Sequence, residues 1–300
     1  MTTKFWPRES IAPIAARETT ALRLVDAQLG FRASIFGAPS NVNFEANITG
    51  ILAKCRALID AARPEEEEQK SLSIIHVQHK SVWTDSPMHP SHTGPYGVDG
   101  AATRGIDFLE FAAPRLFRDG RHELVYSFDE PASPQTAAAA TANLSSQQSR
   151  PSELIMTKHG HSPFINTPLE RLLNNRGVKT LLIAGMATDG AISTAVRMAH
   201  NLALVGKWGG RGNVADAPEG RVWTDGRGMY LTDEDAKPLE GEQAVDGYLV
   251  DMPRIVLIGD ATRTFALGEV DADVVHQVHV DSLRAFAEVR STEEVLTALI

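Results

Sequence analysis

The chain has 300 residues, 43% of them hydrophobic, enough to bury one large core or two small ones. Its 38 acidic residues outnumber 29 basic ones for a net charge of -9, and the Lys and Arg are unclustered, which argues against a surface that tracks nucleic-acid phosphates. No window reaches the ~18 continuous apolar residues of a membrane span. A single cysteine, Cys55, excludes an internal disulfide and suits a reducing compartment. Met1–Arg8 lacks the apolar stretch of a secretory signal, so a cytoplasmic location is expected.

In chain order, short β-rich runs alternate with helical patterns, which predicts an α/β fold with a mostly parallel sheet and helices on both faces. The expected strands are Ala21–Val25, Leu72–Val77, Leu154–Met156, Val178–Ala184 and Ile255–Ile258, with Ala287–Val289 a candidate for a sixth. Their near-continuous apolar character fits strands covered on both sides. A first helix is predicted over Asn43–Ala62, where Ile48, Ile51, Leu52, Cys55, Ile59 and Ala62 form one stripe. Cys55 therefore reads as a small buried hydrophobe rather than a catalytic thiol. Thr167-Pro168-Leu169-Glu170 predicts a capping box opening a second helix that Gly177 stops. A third helix is predicted over Asp189–Leu202. A fourth, over Asp273–Phe286, should turn Val275, Val278, Ser282, Leu283 and Phe286 inward, and a short one over Thr292–Leu299 should be capped by Ser291 or Thr292.

Two stretches, about 83–153 and 205–253, exceed what a minimal sheet needs. Loops this long are usually lids or binding loops, and both are read as insertions on one domain spanning 1–300. Trp208 or Trp223, in the second, is a candidate to cover a substrate. The run Gly206–Gly212 fits no phosphate-binding spacing. No metal is expected: His76 and His79, three apart on a strand, point to opposite faces, and His89 and His92 lack an evident third ligand.

Ligands of an open parallel sheet bind at the carboxyl ends of its strands, near the point where strand order reverses. Asp26 ends the first strand, Lys158 the third, and Ala191 lies in the first turn after the fourth. Gln28, Phe31 and His161 lie close enough in sequence to line such a pocket, with core packing an equal reading for Phe31 and a surface loop an equal one for His161. A lone strand-end Asp is usually a turn residue and a lone Lys a solvated one, but their paired placement favours a functional reading.

Four segments carry a resemblance: Val25-Asp26-Ala27-Gln28-Leu29-Gly30-Phe31, Lys158 through Leu169, Gly185-Met186-Ala187-Thr188-Asp189-Gly190-Ala191, and Gly259-Asp260-Ala261-Thr262. In this order they resemble the isochorismatase-like hydrolase superfamily, the cysteine-hydrolase group that includes nicotinamidases and carbamoyl amidohydrolases. The resemblance implies a three-layer, Rossmann-like sheet and an Asp26–Lys158–residue 191 triad. It also implies a peptide in the cis form between Met186 and Ala187, in a turn that with Met186 and Ala187 would contact substrate. A small-molecule substrate, no cofactor, no nucleic-acid or membrane partner and a homo-oligomer complete the expectation.

The family's nucleophile is a cysteine, where this chain has Ala191. A thiol at a helix start beside a lysine ionises easily, the aspartate moves its proton, and backbone N–H groups hold the oxyanion. A methyl group does none of this. Three readings stay open. One is an amide or carbamoyl C–N hydrolase in which Cys was replaced by Ala, which agrees best with the otherwise intact motif. The second is a thiol-independent hydrolase of an isochorismate-like vinyl ether with Asp26 as acid. The third is a catalytically silent small-molecule binder.

Overall fold

The computed structural model describes residues 11–15, 19–62, 72–115, 152–209 and 253–300, together with the backbone of four short strands at 124–126, 222–224, 229–231 and 249–250. The strands are β1 (Thr20–Val25), β2 (Ser73–His79), β3 (Thr93–Gly94), β4 (Thr103–Arg104), β5 (Leu124–Tyr126), β6 (Glu153–Lys158), β7 (Thr180–Met186), β8 (Val222–Thr224), β9 (Met229–Leu231), β10 (Leu249–Val250), β11 (Arg254–Arg263) and β12 (Glu288–Arg290). The helices are α1 (Phe44–Asp60), α2 (Leu169–Asn175), α3 (Ser193–Leu204), α4 (Ala272–Leu283) and α5 (Thr292–Ala298).

Seven strands form one sheet in the order β12-β11-β7-β1-β2-β6-β5, and every pairing in it is parallel. The expected strands are all present, Ala287–Val289 corresponds to the edge strand β12, and β5 comes from inside the first long insertion. The second insertion carries a separate antiparallel sheet, β10-β9-β8.

Period-two alternation assigns the strand residues to two cores. Leu22, Leu24, Leu182, Ala184 and Val256 pack with α1 and α5 on one face. Ala21, Val25, Ile75, Leu181, Ile183 and Leu257 pack with α2, α3 and α4 on the other. Among the described residues no helix is long and apolar enough to cross a membrane.

Local chemistry sets the helix ends, with some departures from expectation. Ser291 and Glu294 make the reciprocal capping box of α5, and Asp271 caps α4 by accepting from the Asp273 amide. The box expected at Thr167 does not form. Its hydroxyl instead donates to the Pro163 carbonyl and accepts from the Leu169 amide, because the chain enters α2 from a tight turn rather than an extended cap. Gly177, at φ +63°, stops α2 as expected. On α4, Val275, Val280 and Leu283 are buried but Val278 and Ser282 face solvent, since this helix covers the sheet's flank with a narrow stripe. Cys55 is fully buried on α1, and burial pushes its thiol up to about 12.

Candidate active site

From β1 the chain moves outward to β2 and then to the edge strand β5, comes back to place β6 between them, and crosses through β7 to the other side of β1. Strand order therefore reverses between β1 and β7, and the crevice between their carboxyl ends is where open parallel sheets generally take their ligands. Gly185 lets the two strands close there: a Cβ on it would lie 2.0 Å from the Val25 carbonyl oxygen.

Asp26 follows β1 in the left-handed region, at φ +52°. Its Oδ2 accepts a hydrogen bond of 2.7 Å from Lys158 Nζ, and both side chains are buried. Lys158 ends β6, so it reaches across the end of β2 to make this pair, and a second bond of 3.1 Å runs to the Gly160 carbonyl. Burial pushes the Asp26 carboxyl up from its ordinary value, opposed by Lys158, His161 and Arg23. Burial likewise pushes the Lys158 ammonium down, opposed by Asp26. The two groups are thus drawn together in proton affinity, the condition for easy proton exchange. The second carboxylate oxygen, Asp26 Oδ1, is buried without a hydrogen-bond partner among the described residues.

Ala191 lies in a π-helical turn, Thr188–Ile192, that joins β7 to α3, and it is buried on the same sheet face as Val25 and Phe164. Ala187, at φ +61°, opens the turn, and its carbonyl accepts from the amides of Gly190 and Ile192. No described peptide bond is cis, so the expected cis link at Met186–Ala187 is replaced by this left-handed alanine. Two contacts pin the turn from outside. Thr188 Oγ1 lies 3.1 Å from His276 Nδ1 on α4, and Asp189 accepts from the Thr264 hydroxyl beyond β11.

The other expected residues separate into three groups. His161 stays exposed at the rim, its Nδ1 3.5 Å from where a Cβ on Gly190 would lie, and it acts electrostatically on Asp26. Met186 is buried at the end of β7, and Phe31 packs in an aromatic trio with Phe36 and Phe265 at 5.1 and 5.7 Å. Gln28 lies near the site, but both amide hydrogens are engaged, by the His79 and Ile106 carbonyls, and its oxygen accepts from the His79 amide. It therefore fastens the 105–109 loop to β2 instead of offering donors to a ligand.

Trp208 is at the wrong end of the molecule to cover a substrate. It follows α3, which runs back to the amino edge of the sheet, where its indole donates to the Ala199 carbonyl at 2.9 Å. The adjacent Gly209 packs against Pro253 and Val178, which precede β11 and β7. The side chain of Trp223 lies outside the described residues.

Arg23 was missed by sequence reasoning. It is fully buried in β1, where its signal was a lone charge in a strand otherwise apolar on both faces. His79 is half-buried beside Lys158, and burial pushes its imidazole down to about 3, helped by the Lys158 charge. Among the described residues no three His, Cys, Asp or Glu side chains converge to hold a metal.

The sheet is thus parallel, with a buried acid–lysine pair at the carboxyl end of its switch point. Residues 20–204 match the isochorismatase domain, and the chain belongs to the isochorismatase family of hydrolases. It is 28% identical over 185 residues, 62% of this chain and 68% of the relative, to the isochorismatase family protein YrdC of Bacillus subtilis (strain 168). Among solved structures it is similar to an isochorismatase-family protein from Chromobacterium violaceum ATCC 12472, with a TM-score of 0.55, 20% identity and coverage of 96% and 97% of the two chains. It is also similar to a cysteine hydrolase from Pseudomonas syringae pv. phaseolicola 1448A, with a TM-score of 0.50, 15% identity and coverage of 97% and 98%. At these identities the structural likeness speaks for the fold.

Proposed function

We propose that the protein hydrolyses a small molecule by proton transfer through Asp26, and that with alanine at position 191 it does so without a covalent intermediate. The buried 2.7 Å Lys158–Asp26 pair at the carboxyl end of the sheet carries this reading. Amide hydrolysis by the family's thiol route needs a nucleophile, which a methyl group cannot be. A vinyl ether needs only a proton donor. Asp26, whose carboxyl is pushed up by burial, protonates the alkene carbon; water adds to the resulting oxocarbenium ion and returns a proton to Asp26; the hemiketal then collapses to a carbonyl compound and an alcohol. Lys158 stabilises the carboxylate left after the first transfer.

A second reading, amide or carbamoyl C–N hydrolysis, is favoured by the placement of residue 191 at the start of α3. Cysteine there would have its thiolate stabilised by the helix start and by Lys158. Assays of the wild type, Asp26→Asn and Ala191→Cys against isochorismate and a panel of small amides and ureas separate the two. The first reading expects pyruvate release by the wild type and loss of about 10²–10⁴-fold in Asp26→Asn. The second expects amide turnover in Ala191→Cys that alkylation abolishes. A wild type that releases no pyruvate, with an Ala191→Cys protein that cleaves no amide, would overturn both.

A further inference from the structure

One surface of the molecule is apolar where a helix ordinarily turns polar residues to water. α4 packs on the sheet through Ala272, Val275, Val280 and Leu283. Its opposite side should carry charged and polar side chains. It carries Val274 and Val278 instead, one turn apart and 52% and 61% exposed. Leu267 and Val270, bridged to each other on the turn that leads into α4, are about half exposed as well. Val42 continues the surface at 89% exposure. Its neighbour Asn41 is fastened to α4 through its backbone amide, which donates to Asp273 Oδ1 at 3.0 Å. Five large aliphatic side chains on three adjoining elements form a patch comparable with the largest on a typical monomer, about 300–600 Å² and often functional. That is a substantial part of the about 800 Å² that each partner gives to a standard interface.

The charges along this face point to the partner. The end at which α4 starts is acidic, with Glu269, Asp271 and Asp273 all exposed. The end at which it stops carries Arg284 and also Arg197, whose Nη2 donates to Ser282 Oγ at 3.2 Å. The one acid there, Asp281, already accepts from Arg284 Nε and Gln277 Nε2. The valines lie between the two ends. A surface that is negative at one end, positive at the other and apolar in the middle complements itself when a second copy is laid on it antiparallel, as happens about a two-fold axis that crosses the helix. Each acidic end then faces a basic end, the valines pack on their counterparts, and the helix dipoles oppose. Two chains that each carry a net charge of -9 otherwise repel, so association needs local complementarity of this kind. We propose that this face joins two copies of the chain through an antiparallel α4–α4 contact about a two-fold axis. The contact also gives Val274 and Val278 a reason to point away from the sheet.

The proposal is independent of turnover and is tested by sedimentation velocity on the full chain at tens of micromolar, where a dimer is expected. Val274→Asp combined with Val278→Asp should leave a monomer with an unchanged circular dichroism spectrum, since both side chains lie on the surface. Charge reversal tests the geometry. Arg284→Glu and Glu269→Arg should each weaken the homodimer about fivefold or more, because the reversed end meets its like charge twice. Mixing the two variants should restore wild-type affinity, because every reversed residue then meets its opposite. A monomeric wild type would overturn the proposal and leave the face to a different protein. A dimer indifferent to the two aspartates, or reversals that mixing does not rescue, would overturn it as well. Should the aspartate pair unfold the chain, the reversal variants still decide.

Discussion

Strand β6 carries a buried charge at each end, and the two ends are built on opposite principles. At the amino end Glu153 is surrounded: Arg56 Nη2 and Nε donate to its two oxygens at 2.6 and 3.2 Å, the Arg115 amide and Nε at 3.0 and 3.1 Å, and His76 Nε2 lies at 2.8 Å. These partners hold its carboxyl well below the usual range despite burial. At the carboxyl end Lys158 meets a carboxylate with one oxygen unpaired among the described residues, near an arginine to which those residues give no hydrogen bond. A saturated cluster ties β2, β6 and α1 together; an undersatisfied one retains free capacity for a ligand. This contrast marks which end of the sheet is structural.

The comparison is sharpened most by removing one partner at each end. Asp26→Asn should cut turnover by about 10²–10⁴-fold while the protein stays folded, read by steady-state kinetics and circular dichroism. Glu153→Ala should instead destabilise by about 1–3 kcal/mol in denaturant titration, since the partly exposed Arg56 and Arg115 lose a shared counter-charge but can be rehydrated, with the site geometry unchanged in what remains folded. If both substitutions lowered stability alike and neither touched kinetics, the distinction between the ends would collapse.

Arg23→Met should move stability the other way, upward by about 1 kcal/mol or more, because it removes unsatisfied buried donors. A loss of stability on that change would indicate that the guanidinium contributes through Phe164 instead.

The pH response has opposite signs at the two ends. Glu153, depressed in the folded state, contributes stability that is fully present above its ordinary value of 4.5 and is lost as pH falls below it. Asp26, raised by burial, binds its proton more tightly when folded, so its contribution grows as pH falls from neutral toward the ordinary carboxylate value. Acid titration of unfolding free energy should therefore show a shallower low-pH loss in Glu153→Gln than in the wild type. The smallest effect concerns Cys55: with its thiol pushed up to about 12 and buried, native protein should resist iodoacetamide near neutral pH. Mass spectrometry of Ala191→Cys should then find a single modified site.

Much of this was legible along the chain. Apolar runs marked six of the seven strands of the parallel sheet, all but β5, and the positions of Asp26, Lys158 and residue 191 at strand ends placed them at one edge. The failures share a cause. Trp208 is close in sequence to the helix after the site, yet α3 spans the sheet and delivers it to the far edge. Gln28 is adjacent to Asp26, but its amide is consumed by a loop about 78 residues away, a pairing no local pattern encodes.

By itself, then, the amino-acid order determined which segments are strands, which residues end them, and that position 191 holds a methyl group, because these depend on local composition and period. Tertiary structure decided the rest. Only the crossover from β6 back to β7 makes β1 and β7 neighbours and creates the reversal point between them. Only the placement of β2 between β1 and β6 sets the distance Lys158 must span to Asp26. And only the packing of helices on both faces removes Arg23 from water, turning an ordinary surface residue type into an unpaired charge whose energy depends on every group around it.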